Sequence, residues 1–485
     1  MRVHDRLFIG GEWVEPAGTS TIEVVSPATL EPVGRTPDST EADVDRAVAA
    51  ARQAFDDGPW PQMSPAERAD ALARLGDGLR SRTDEFAQLI TAENGSPITW
   101  STLAQGFAPT MIHDYYVDMA REFPFEDLRQ GVLGQVLVRH EPVGVVAAIV
   151  PWNAPLFLTM AKISPALAAG CTVVLKPSPE TPLNAFLLAE VIAEAGLPPG
   201  VVNIVPAGRK ASESLVRHTG IDKISFTGSS LTGKRIASLA GEQLKRYSLE
   251  LGGKSAAVLL DDVDLSEAIP ALLPTALMIS GQACIAQTRI LAPAERYQEV
   301  VDALCDNVAA MKMGDPLDPE TELGPLIAER QRDRVEGYIA SGQEEGAKVV
   351  LGGGRPAGLD KGWWVEPTVF VNVDNKMKIA QEEIFGPVLS VIPYSDTDNA
   401  VAIANDSNYG LSGTVWTADV DRGLDVARRV RTGNYTINGF TIDIGTPFGG
   451  FKESGIGREF GPDGLELFCE KKAINLPAGY TPSAI

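Results

Sequence analysis

Cysteine is scarce in this chain of 485 residues, which contains four. Cys171, Cys284, Cys305 and Cys469 form no CxxC pair and no cluster with histidine. We therefore expect no structural metal site, because a zinc ion needs several such ligands close together. So few cysteines in so long a chain also argue against a disulfide framework.

Histidine is equally scarce, which bears on how a cysteine could be activated. Thiolate nucleophiles usually have a histidine partner. No histidine of this chain lies in a distinctive turn motif, and each is expected at the surface: His4, His113, His140 and His218. A hydrolase of another fold with a Cys/His pair is therefore weakly supported.

The chain also lacks an excess of positive charge and long apolar runs. The net charge is −22, and nucleic acids and anionic membranes attract clustered positive charge, so neither is an expected partner. The first residues contain no apolar core of the kind found in signal peptides. The longest apolar runs, such as 143–150, are too short to span a bilayer. These absences predict a cytoplasmic protein with reduced thiols.

The chain does contain a repeated alternation of strand and helix patterns. Residues 143–150 and 171–178 are short apolar runs with flanking prolines, and residues 156–170 between them have helical spacing that ends at a glycine. Strands that are apolar throughout are typical of a parallel sheet covered on both faces. A second alternating series follows residue 253, so the pattern predicts an α/β fold. Residues 131–140 alternate instead and are predicted to form an edge strand, of the kind that a partner chain often covers.

Three residues stand where catalytic groups could lie. Cys284 follows Gly-Gln-Ala in an irregular stretch and is either a nucleophile or a small packed side chain. Glu250 ends a strand before two glycines, where ligands bind in parallel sheets, although a surface glutamate before a turn is the alternative. Asn153 lies between prolines and could stabilise an oxyanion or cap the next helix.

Two further segments are suited to binding a cofactor. In "FTGSSLTGKRI", Gly228 and Gly233 flank a turn from strand to helix, and a helix N-terminus can hold a phosphate. The spacing differs from the usual dinucleotide motif GxGxxG. Lys176 lies at another strand end, where it could reach a ribose hydroxyl or a phosphate, or extend its amine to solvent.

Seven motifs in order resemble the aldehyde dehydrogenase superfamily over nearly the whole chain. They are "PWNAP", "KPSPETP", "FTGSSLTG", "LELGGKS", "GQAC", "EEIFGPV" and "PFGGFKESGIGRE". Each motif is weak alone, but their joint order is specific. The resemblance implies a Rossmann-like cofactor domain, a second α/β catalytic domain and a β-arm for oligomerisation.

The resemblance also implies catalytic roles. The Cys284 thiolate would attack an aldehyde, and the Asn153 amide and the Cys284 backbone N–H would hold the oxyanion of the thiohemiacetal. Loss of hydride would leave a thioester, which water activated by Glu250 would hydrolyse to a carboxylic acid. Glu459 would relay protons away from Glu250.

Family correspondence predicts a cofactor site but leaves its specificity open. The predicted contacts are Trp152, Lys176, Ser178, Pro179, Gly228, Ser229, Gly233, Leu251, Gly252, Glu383 and Phe385. Many NAD-specific relatives have a ribose-binding glutamate where this chain has Pro179, followed by Glu180. Proline neither binds the ribose hydroxyls nor repels a 2′-phosphate. NAD is the expected cofactor, and NADP is the alternative.

The predicted substrate channel is roomy and apolar, because small residues replace the bulky aromatics of some relatives. Its walls are predicted to be Ala154, Phe157, Leu158, Ala161, Met278, Ile285, Ile442 and Phe448. We expect a hydrophobic aldehyde of medium to large size. The alternatives are a CoA-acylating semialdehyde dehydrogenase, which usually lacks the glutamate base, and a non-catalytic structural member of the family, which would be expected to lose these residues.

The predicted organisation follows the same correspondence. Residues 1–121 and 141–252 would form the NAD(P)-binding domain, and residues 253–455 the catalytic domain. Residues 122–140 and 456–485 would form the oligomerisation arm and the C-terminal tail. Because an arm of this kind adds a strand to a neighbour's sheet, a homodimer or homotetramer is expected.

Overall fold

The computed structural model describes residues 1–480 and residue 482. The α-helices are α1 (Glu41–Asp56), α2 (Pro65–Ser81), α3 (Thr83–Asn94), α4 (Ile98–Ser101), α5 (Ala108–Glu122), α6 (Pro155–Ala169), α7 (Leu183–Ala195), α8 (Arg209–Arg217), α9 (Ser230–Glu242), α10 (Leu265–Ala276), α11 (Tyr297–Ala310), α12 (Glu329–Glu344), α13 (Lys378–Gln381), α14 (Thr397–Asn405), α15 (Val420–Arg429) and α16 (Gly461–Glu466). A π-helix, Thr102–Phe107, joins α4 to α5, and short 3₁₀ turns cover Trp60–Gln62 and Ala294–Arg296.

The strands form two large sheets and several small ones. They are β1 (Arg2–Val3), β2 (Leu7–Ile9), β3 (Glu12–Val14), β4 (Thr21–Val25), β5 (Pro32–Pro37), β6 (Glu126–Gln130), β7 (Gln135–Pro142), β8 (Val145–Ile149), β9 (Thr172–Lys176), β10 (Val202–Ile204), β11 (Lys223–Thr227), β12 (Arg246–Glu250), β13 (Ala256–Leu259), β14 (Arg289–Pro293), β15 (Lys348–Leu351), β16 (Thr368–Val371), β17 (Val388–Tyr394), β18 (Tyr409–Gly410), β19 (Gly413–Trp416), β20 (Thr436–Ile437), β21 (Phe451–Lys452), β22 (Gly455–Ile456) and β23 (Cys469–Asn475).

The first large sheet has the strand order β22-β12-β11-β8-β9-β10-β2-β3. Its five central strands, β12 to β10, are parallel, whereas β22, β2 and β3 pair antiparallel at the two edges. Strands β8 and β9 are buried along their whole length, because helices cover both faces. The predicted parallel sheet is therefore confirmed, and the N-terminal and C-terminal segments extend it.

The second large sheet has the order β15-β16-β17-β14-β13-β19-β20 and is parallel except for β15. Two apolar clusters cover its two faces. The overall α/β class is confirmed. The parallel strands of the first sheet end near one cleft, which is where open α/β sheets bind ligands, and the segments that precede β14 and β17 of the second sheet line the same cleft.

The predicted edge strand at residues 131–140 is a central strand. β7 pairs with β6 on one side and, over seven residues, with β23 on the other. The prediction was wrong because the tail strand β23 lies far away in the sequence, and strand alternation alone does not reveal such a partner. The hairpin tip between β6 and β7 exposes Val132 and Leu133 completely.

Two of the four histidines are buried, against the prediction of surface positions. His113 on α5 lies within hydrogen-bond distance of the Ser164 hydroxyl at 3.0 Å and the Leu72 carbonyl at 2.8 Å. Burial lowers the pKa of the His113 imidazole, so this ring links three helices as a neutral group. His140 is buried on β7.

Residues at both ends of helix α6 determine where it begins and ends. Pro155 occupies the first turn, where a missing N–H costs nothing, and Gly170 ends the helix with φ of 98°. The side chain of Gln105 in the π-helix accepts hydrogen bonds from the free N–H groups of Leu156 and Phe157 at 3.0 and 3.2 Å. This cap fixes the start of α6 directly after residues 151–154.

No helix in the described part of the chain combines the length and apolar character needed to cross a bilayer.

Candidate active site

A cleft with a volume of about 260 Å³ lies at the carboxyl ends of the first sheet's strands and faces the second sheet. It is lined by Pro151, Trp152, Asn153, Thr227, Gly228, Ser229, Leu251, Gly252, Cys284, Arg330, Gln331, Arg334, Glu383 and Phe385. The structure thus brings together predicted residues from five separate segments of the chain.

A strained turn precedes Cys284. Ile279 and Ser280 have φ of 50° and 54°, and Gly281 has φ of 73°. A side chain at Gly281 would lie 2.1 Å from the Gly386 carbonyl, so only glycine fits there. The Ser280 hydroxyl donates to the Gly324 carbonyl at 2.6 Å. Left-handed backbone at non-glycine residues is typical of functional sites, and here it presents the thiol to the cleft.

Gln282 anchors this turn, and sequence reasoning missed it. Its side-chain oxygen accepts from the Ile327 N–H at 3.0 Å, and its side-chain nitrogen donates to the Ile279 carbonyl at 3.0 Å. The Asn153 Nδ2 donates to the Gln282 carbonyl at 3.0 Å. Because an amide nitrogen carries two hydrogens, one remains for an oxyanion formed beside Cys284. The sequence did contain a hint of this anchor, because Gln282 is a polar side chain two residues before Cys284.

A second layer of polar groups holds the backbone around Asn153. The Asn94 Nδ2 donates to the Asn153 carbonyl at 3.2 Å, and the Ser96 N–H and hydroxyl donate to the Asn94 Oδ1 at 2.9 and 2.7 Å. Ser101 completes the buried network with Ser96 at 2.7 Å. Buried, satisfied networks of this kind specify one conformation. No pattern in the sequence links α3 to the asparagine loop, so this network was not predicted.

Glu250 lies at the end of β12 with both carboxylate oxygens buried, and neither oxygen has a hydrogen-bond partner among the residues that the structure describes. A side chain at Gly449, whose φ is 152°, would lie 2.7 Å from the Glu250 Oε1, so glycine leaves room for the carboxylate. Burial, together with the neighbouring negative charge of Glu459, raises the pKa of Glu250 well above its usual range. A raised pKa suits a carboxylate that must accept a proton from water.

Lys162 is a further charged group behind Glu250 that sequence reasoning missed. Its ammonium lies 2.5 Å from the Glu459 Oε1, and both side chains are buried. Glu459 is placed there because Phe448 and Glu459 form an antiparallel bridge, and Gly455 pairs with Glu250 at the edge of the first sheet. The sequence did contain a hint of its role, because Lys162 is the only charged residue of the otherwise apolar helix α6.

Cys284 is half-buried and its thiol is free. Burial and the nearby carboxylates of Glu383 and Glu250 raise the pKa of the Cys284 thiol well above its ordinary value. Both effects disfavour the thiolate form. Among the described residues, no cluster of histidine, cysteine, aspartate and glutamate side chains could hold a metal ion.

The N-terminus of α9 is suited to a dinucleotide's phosphates. The Ser229 hydroxyl caps this helix by accepting from the Thr232 N–H at 3.3 Å. A side chain at Gly233 would lie 2.6 Å from Leu251, which lines the cleft next to Gly252, so glycine permits close packing of helix and strand. Free N–H groups at the helix start can then face an anion in the cleft.

Glu383 lies on the opposite wall. It accepts from the Gly253 N–H at 2.9 Å, and a side chain at Gly252 would lie 2.5 Å from its carboxylate. Burial raises the pKa of Glu383 to about 7. Phe385, with φ of 61°, packs edge-on against Trp152 with ring centroids 5.4 Å apart. These contacts shape a slot between an aromatic pair and a carboxylate.

α12 holds the Glu383–Phe385 segment in place through two side chains that were not predicted. Gln331 Nε2 donates to the Phe385 carbonyl at 2.7 Å, and Arg334 Nη2 donates to the Glu383 carbonyl at 2.5 Å. The predicted residues Lys176, Ser178 and Pro179 do not line this cleft. Burial lowers the pKa of Lys176, at the end of β9, to about 8. Ser178 donates its hydroxyl hydrogen to Glu180, and Pro179 between them is half-buried.

Most of the predicted substrate-wall residues share one large apolar cluster with the thiol. Phe157, Ala161, Met278, Ile285, Ile442 and Phe448 belong to the cluster that also contains Cys284. Ala154 and Leu158 are half-buried at the start of α6. Phe460, which was not predicted, packs against Phe157 and Phe448 with centroids 5.7 and 5.9 Å apart.

The sequence profile described as "Aldehyde dehydrogenase family" matches residues 13–474. The chain belongs to the aldehyde dehydrogenase family. It is 46% identical over 474 residues to a geranial dehydrogenase of Castellaniella defragrans, a match that covers 98% of this chain and 99% of the relative. The predicted family, α/β fold class and enzyme class are therefore confirmed.

Two solved aldehyde dehydrogenases have the same fold. The Mycobacterium tuberculosis enzyme, complexed with NAD⁺, is 53% identical, with a TM-score of 0.98 and 99% of both chains covered. A cysteine-to-alanine variant of aldehyde dehydrogenase C from Pseudomonas syringae, complexed with NAD⁺ and octanal, is 42% identical, with a TM-score of 0.95 and 98% of both chains covered. The role of each site residue in this dehydrogenase remains a prediction.

Proposed function

We propose that this dehydrogenase oxidises apolar aldehydes of medium to large size to carboxylic acids, with NAD as hydride acceptor. The observation that carries the proposal is that the Cys284 thiol and the Asn153 amide line one cleft, and that the buried carboxylate of Glu250 directly precedes the lining residues Leu251 and Gly252.

The first half of the reaction forms and oxidises a covalent adduct. The Cys284 sulfur bonds to the aldehyde carbon, and the carbonyl π electrons move to oxygen, where the Asn153 amide and the Cys284 N–H donate hydrogen bonds. When bound, NAD⁺ supplies a hydride acceptor and a positive charge that stabilises the thiolate. Collapse of the oxyanion expels hydride and leaves an acyl group on the Cys284 sulfur.

The second half releases the acid. Glu250 takes a proton from a water molecule as the water oxygen bonds to the acyl carbon, and the C–S bond breaks to regenerate the Cys284 thiolate. Lys162 and Glu459 lie directly behind Glu250 and provide hydrogen-bonding groups for the proton's departure. This base disfavours the CoA-acylating alternative, in which a thiol rather than water accepts the acyl group.

The choice of cofactor and substrate is supported by the pocket and by the relatives. Two structural relatives are complexed with NAD⁺, and the α9 N-terminus, Lys176 and the Glu383 slot offer groups for its phosphates and riboses. Geranial and octanal, named for the curated relative and for a structural relative, are both apolar aldehydes. The apolar cluster that contains Cys284 suits such chains.

We infer a homodimer or homotetramer from the three-stranded arm sheet. Its outer strand β6 has one free edge, and the hairpin tip exposes two apolar side chains. An open edge of this kind can add to a neighbour's sheet. The domain boundaries and the cytoplasmic location proposed above stay predictions.

The test is turnover measured by the absorbance of reduced cofactor, with octanal and succinic semialdehyde compared under NAD and under NADP. We expect faster turnover of octanal, with NAD preferred. Cys284→Ala should abolish turnover while NAD still binds, because the amide and carboxylate groups remain. Faster turnover of succinic semialdehyde would contradict the substrate class, and retained turnover in Cys284→Ala would contradict the nucleophile.

A further inference from the structure

A second, much smaller cavity lies at the amino ends of β13, β14 and β19 in the second large sheet, and Cys284 is not among its lining residues. Its volume is about 10 Å³, which is about the space that one water molecule or one monatomic ion needs. Within the described chain, its lining contains two cations, Lys254 and Arg289, and no carboxylate. We refer to it as the cation-lined cavity.

The pairing of β13 with β14 brings the two cations to one face of the sheet. Ala256 is opposite Arg289, and the Arg289 N–H donates to the Ser255 carbonyl at 3.2 Å, so the pairing extends to the residue before β13. Lys254 lies two residues before Ala256, and side chains with that spacing along a strand lie on the same face. Ala256 and Leu291, which lies two residues after Arg289, both belong to the apolar cluster on that face.

The ammonium of Lys254 is buried without a partner. Lys254 is 2% exposed, and its Nζ has no hydrogen-bond acceptor among residues 1–480 and 482. Burial and the nearby guanidinium of Arg289 lower the pKa of Lys254 to about 7, although the carboxylates of Glu383 and Glu382 oppose this shift. A buried ammonium that donates no hydrogen bond is costly, so this group is suited to a ligand that accepts one.

Arg289 is held rigidly and has one donor to spare. Its Nε donates to the Lys254 carbonyl at 3.0 Å, and its Nη1 donates to the Asn375 Oδ1 at 3.0 Å and to the Ile403 carbonyl at 2.9 Å. Its Nη2 donates to the Ala404 carbonyl at 2.9 Å. A guanidinium has five N–H groups, so one Nη2 hydrogen remains. None of the four acceptors is a carboxylate, and they therefore orient the guanidinium without neutralising it.

We propose that the cation-lined cavity is a binding site for one halide ion, such as chloride, between the Lys254 ammonium and the Arg289 Nη2. A halide accepts hydrogen bonds from both donors and balances positive charge that no carboxylate on the cavity wall balances. Water accepts the same hydrogen bonds but leaves the charge unbalanced, and the cavity has no room for a polyatomic anion such as phosphate.

The proposed site is connected to the cleft through one residue. Gly253 precedes Lys254, and its N–H donates to the Glu383 carboxylate at 2.9 Å. A halide bound to Lys254 would therefore also hold the chain that carries this contact. The inference does not depend on which aldehyde the enzyme oxidises.

The deciding experiment is diffraction from crystals of the full chain soaked in sodium bromide and recorded at the bromine absorption edge. The crystals are kept below pH 7, where Lys254 is protonated. We expect an anomalous peak at hydrogen-bonding distance from the Lys254 Nζ and the Arg289 Nη2, and loss of that peak in Lys254→Met, which keeps the length of the side chain and removes its charge. Density in the cavity without anomalous signal would identify a water molecule and overturn the proposal. Bromide found at surface sites alone, an adventitious ion only, would overturn it as well.

Thermal unfolding tests the same site in solution. Replacement of sodium gluconate by sodium chloride at constant ionic strength should raise the Tm of the wild type by about 2 °C or more, because a ligand that binds the folded chain alone stabilises it. Lys254→Met should lose this response, whereas Lys348→Met, at the exposed start of β15 in the same sheet, should keep it. Equal chloride responses in the wild type and Lys254→Met would contradict the proposal. The wild-type bromide map decides the question even if Lys254→Met does not fold.

Discussion

Lys162, Glu250 and Glu459 set the charge balance around the water-activating site. Two carboxylates and one ammonium are buried together, and only Lys162 and Glu459 are directly paired. Burial and Glu459 raise the pKa of Glu250, while Lys162 opposes that rise. Since Glu250 acts in its deprotonated form, the hydrolysis step should fail as pH falls through this raised pKa.

Substitution of either neighbour should move that pH limit in a defined direction. Lys162→Met removes the opposing cation and should move the acid limb of steady-state turnover to higher pH. Glu459→Gln removes the like charge and should move it to lower pH. Lys162→Met should also cost about 3 kcal/mol of stability, because it leaves a buried carboxylate unpaired.

The readout is the pH profile of kcat with octanal, supported by denaturant unfolding of each variant. Lys471→Met, which breaks an exposed ion pair with Glu466, should change neither measurement. Shifts of the acid limb in the same direction for Lys162→Met and Glu459→Gln would contradict this electrostatic account.

The residues that carry chemistry were largely predictable because they occur in recognisable motifs. Cys284, Asn153 and Glu250 were predicted from the sequence; the first two line one cleft, and Glu250 directly precedes the lining residue Leu251. Lys162 and Gln282 were missed, because each acts through a partner that is distant in the sequence. The positions of buried histidines were also missed, since a polar residue on a helix does not reveal which neighbours will satisfy it.

At the scale of secondary-structure elements, α3 and the π-helix position the oxyanion site. Asn94 at the end of α3 donates to the Asn153 carbonyl, and Gln105 in the π-helix caps α6 just after it. A π-helix often marks a functional position, and here it turns one polar side chain inward. Neither contact was predictable, because both join elements through loop carbonyls or N–H groups.

Asn94→Ala should therefore slow acylation without weakening cofactor binding. Loss of the Nδ2 donor frees the Asn153 loop, and misplacement of a catalytic group by about 1 Å can cost roughly a hundredfold in rate. We expect the rate of the first burst of reduced cofactor to fall by at least about tenfold. The NAD dissociation constant should be unchanged.

The burst is followed by stopped-flow absorbance. Asn307→Ala, which removes a half-buried asparagine whose side chain donates within α11, provides the control and should leave the burst rate unchanged. A normal burst rate in Asn94→Ala would show that the asparagine loop is held by other contacts.

At the scale of the whole molecule, the site exists because three separate regions converge. The first sheet contributes Asn153 and Glu250, and the turn between α10 and β14 contributes Cys284. The segment 448–459 folds back onto β12 and brings Glu459 behind the base. Strand patterns predicted both large sheets, but not that the C-terminal strands would join the first sheet and the arm. Such pairings depend on contacts across hundreds of residues.

The central claim is that Glu250 hydrolyses an acyl group held on Cys284. The most direct measurement is a pre-steady-state burst in Glu250→Gln with NAD and octanal. We predict one equivalent of reduced cofactor per active site, followed by steady turnover at least about a hundredfold below the wild type. Glu470→Gln, in an exposed ion pair with Arg246, should behave as the wild type. Normal steady turnover in Glu250→Gln would contradict the account.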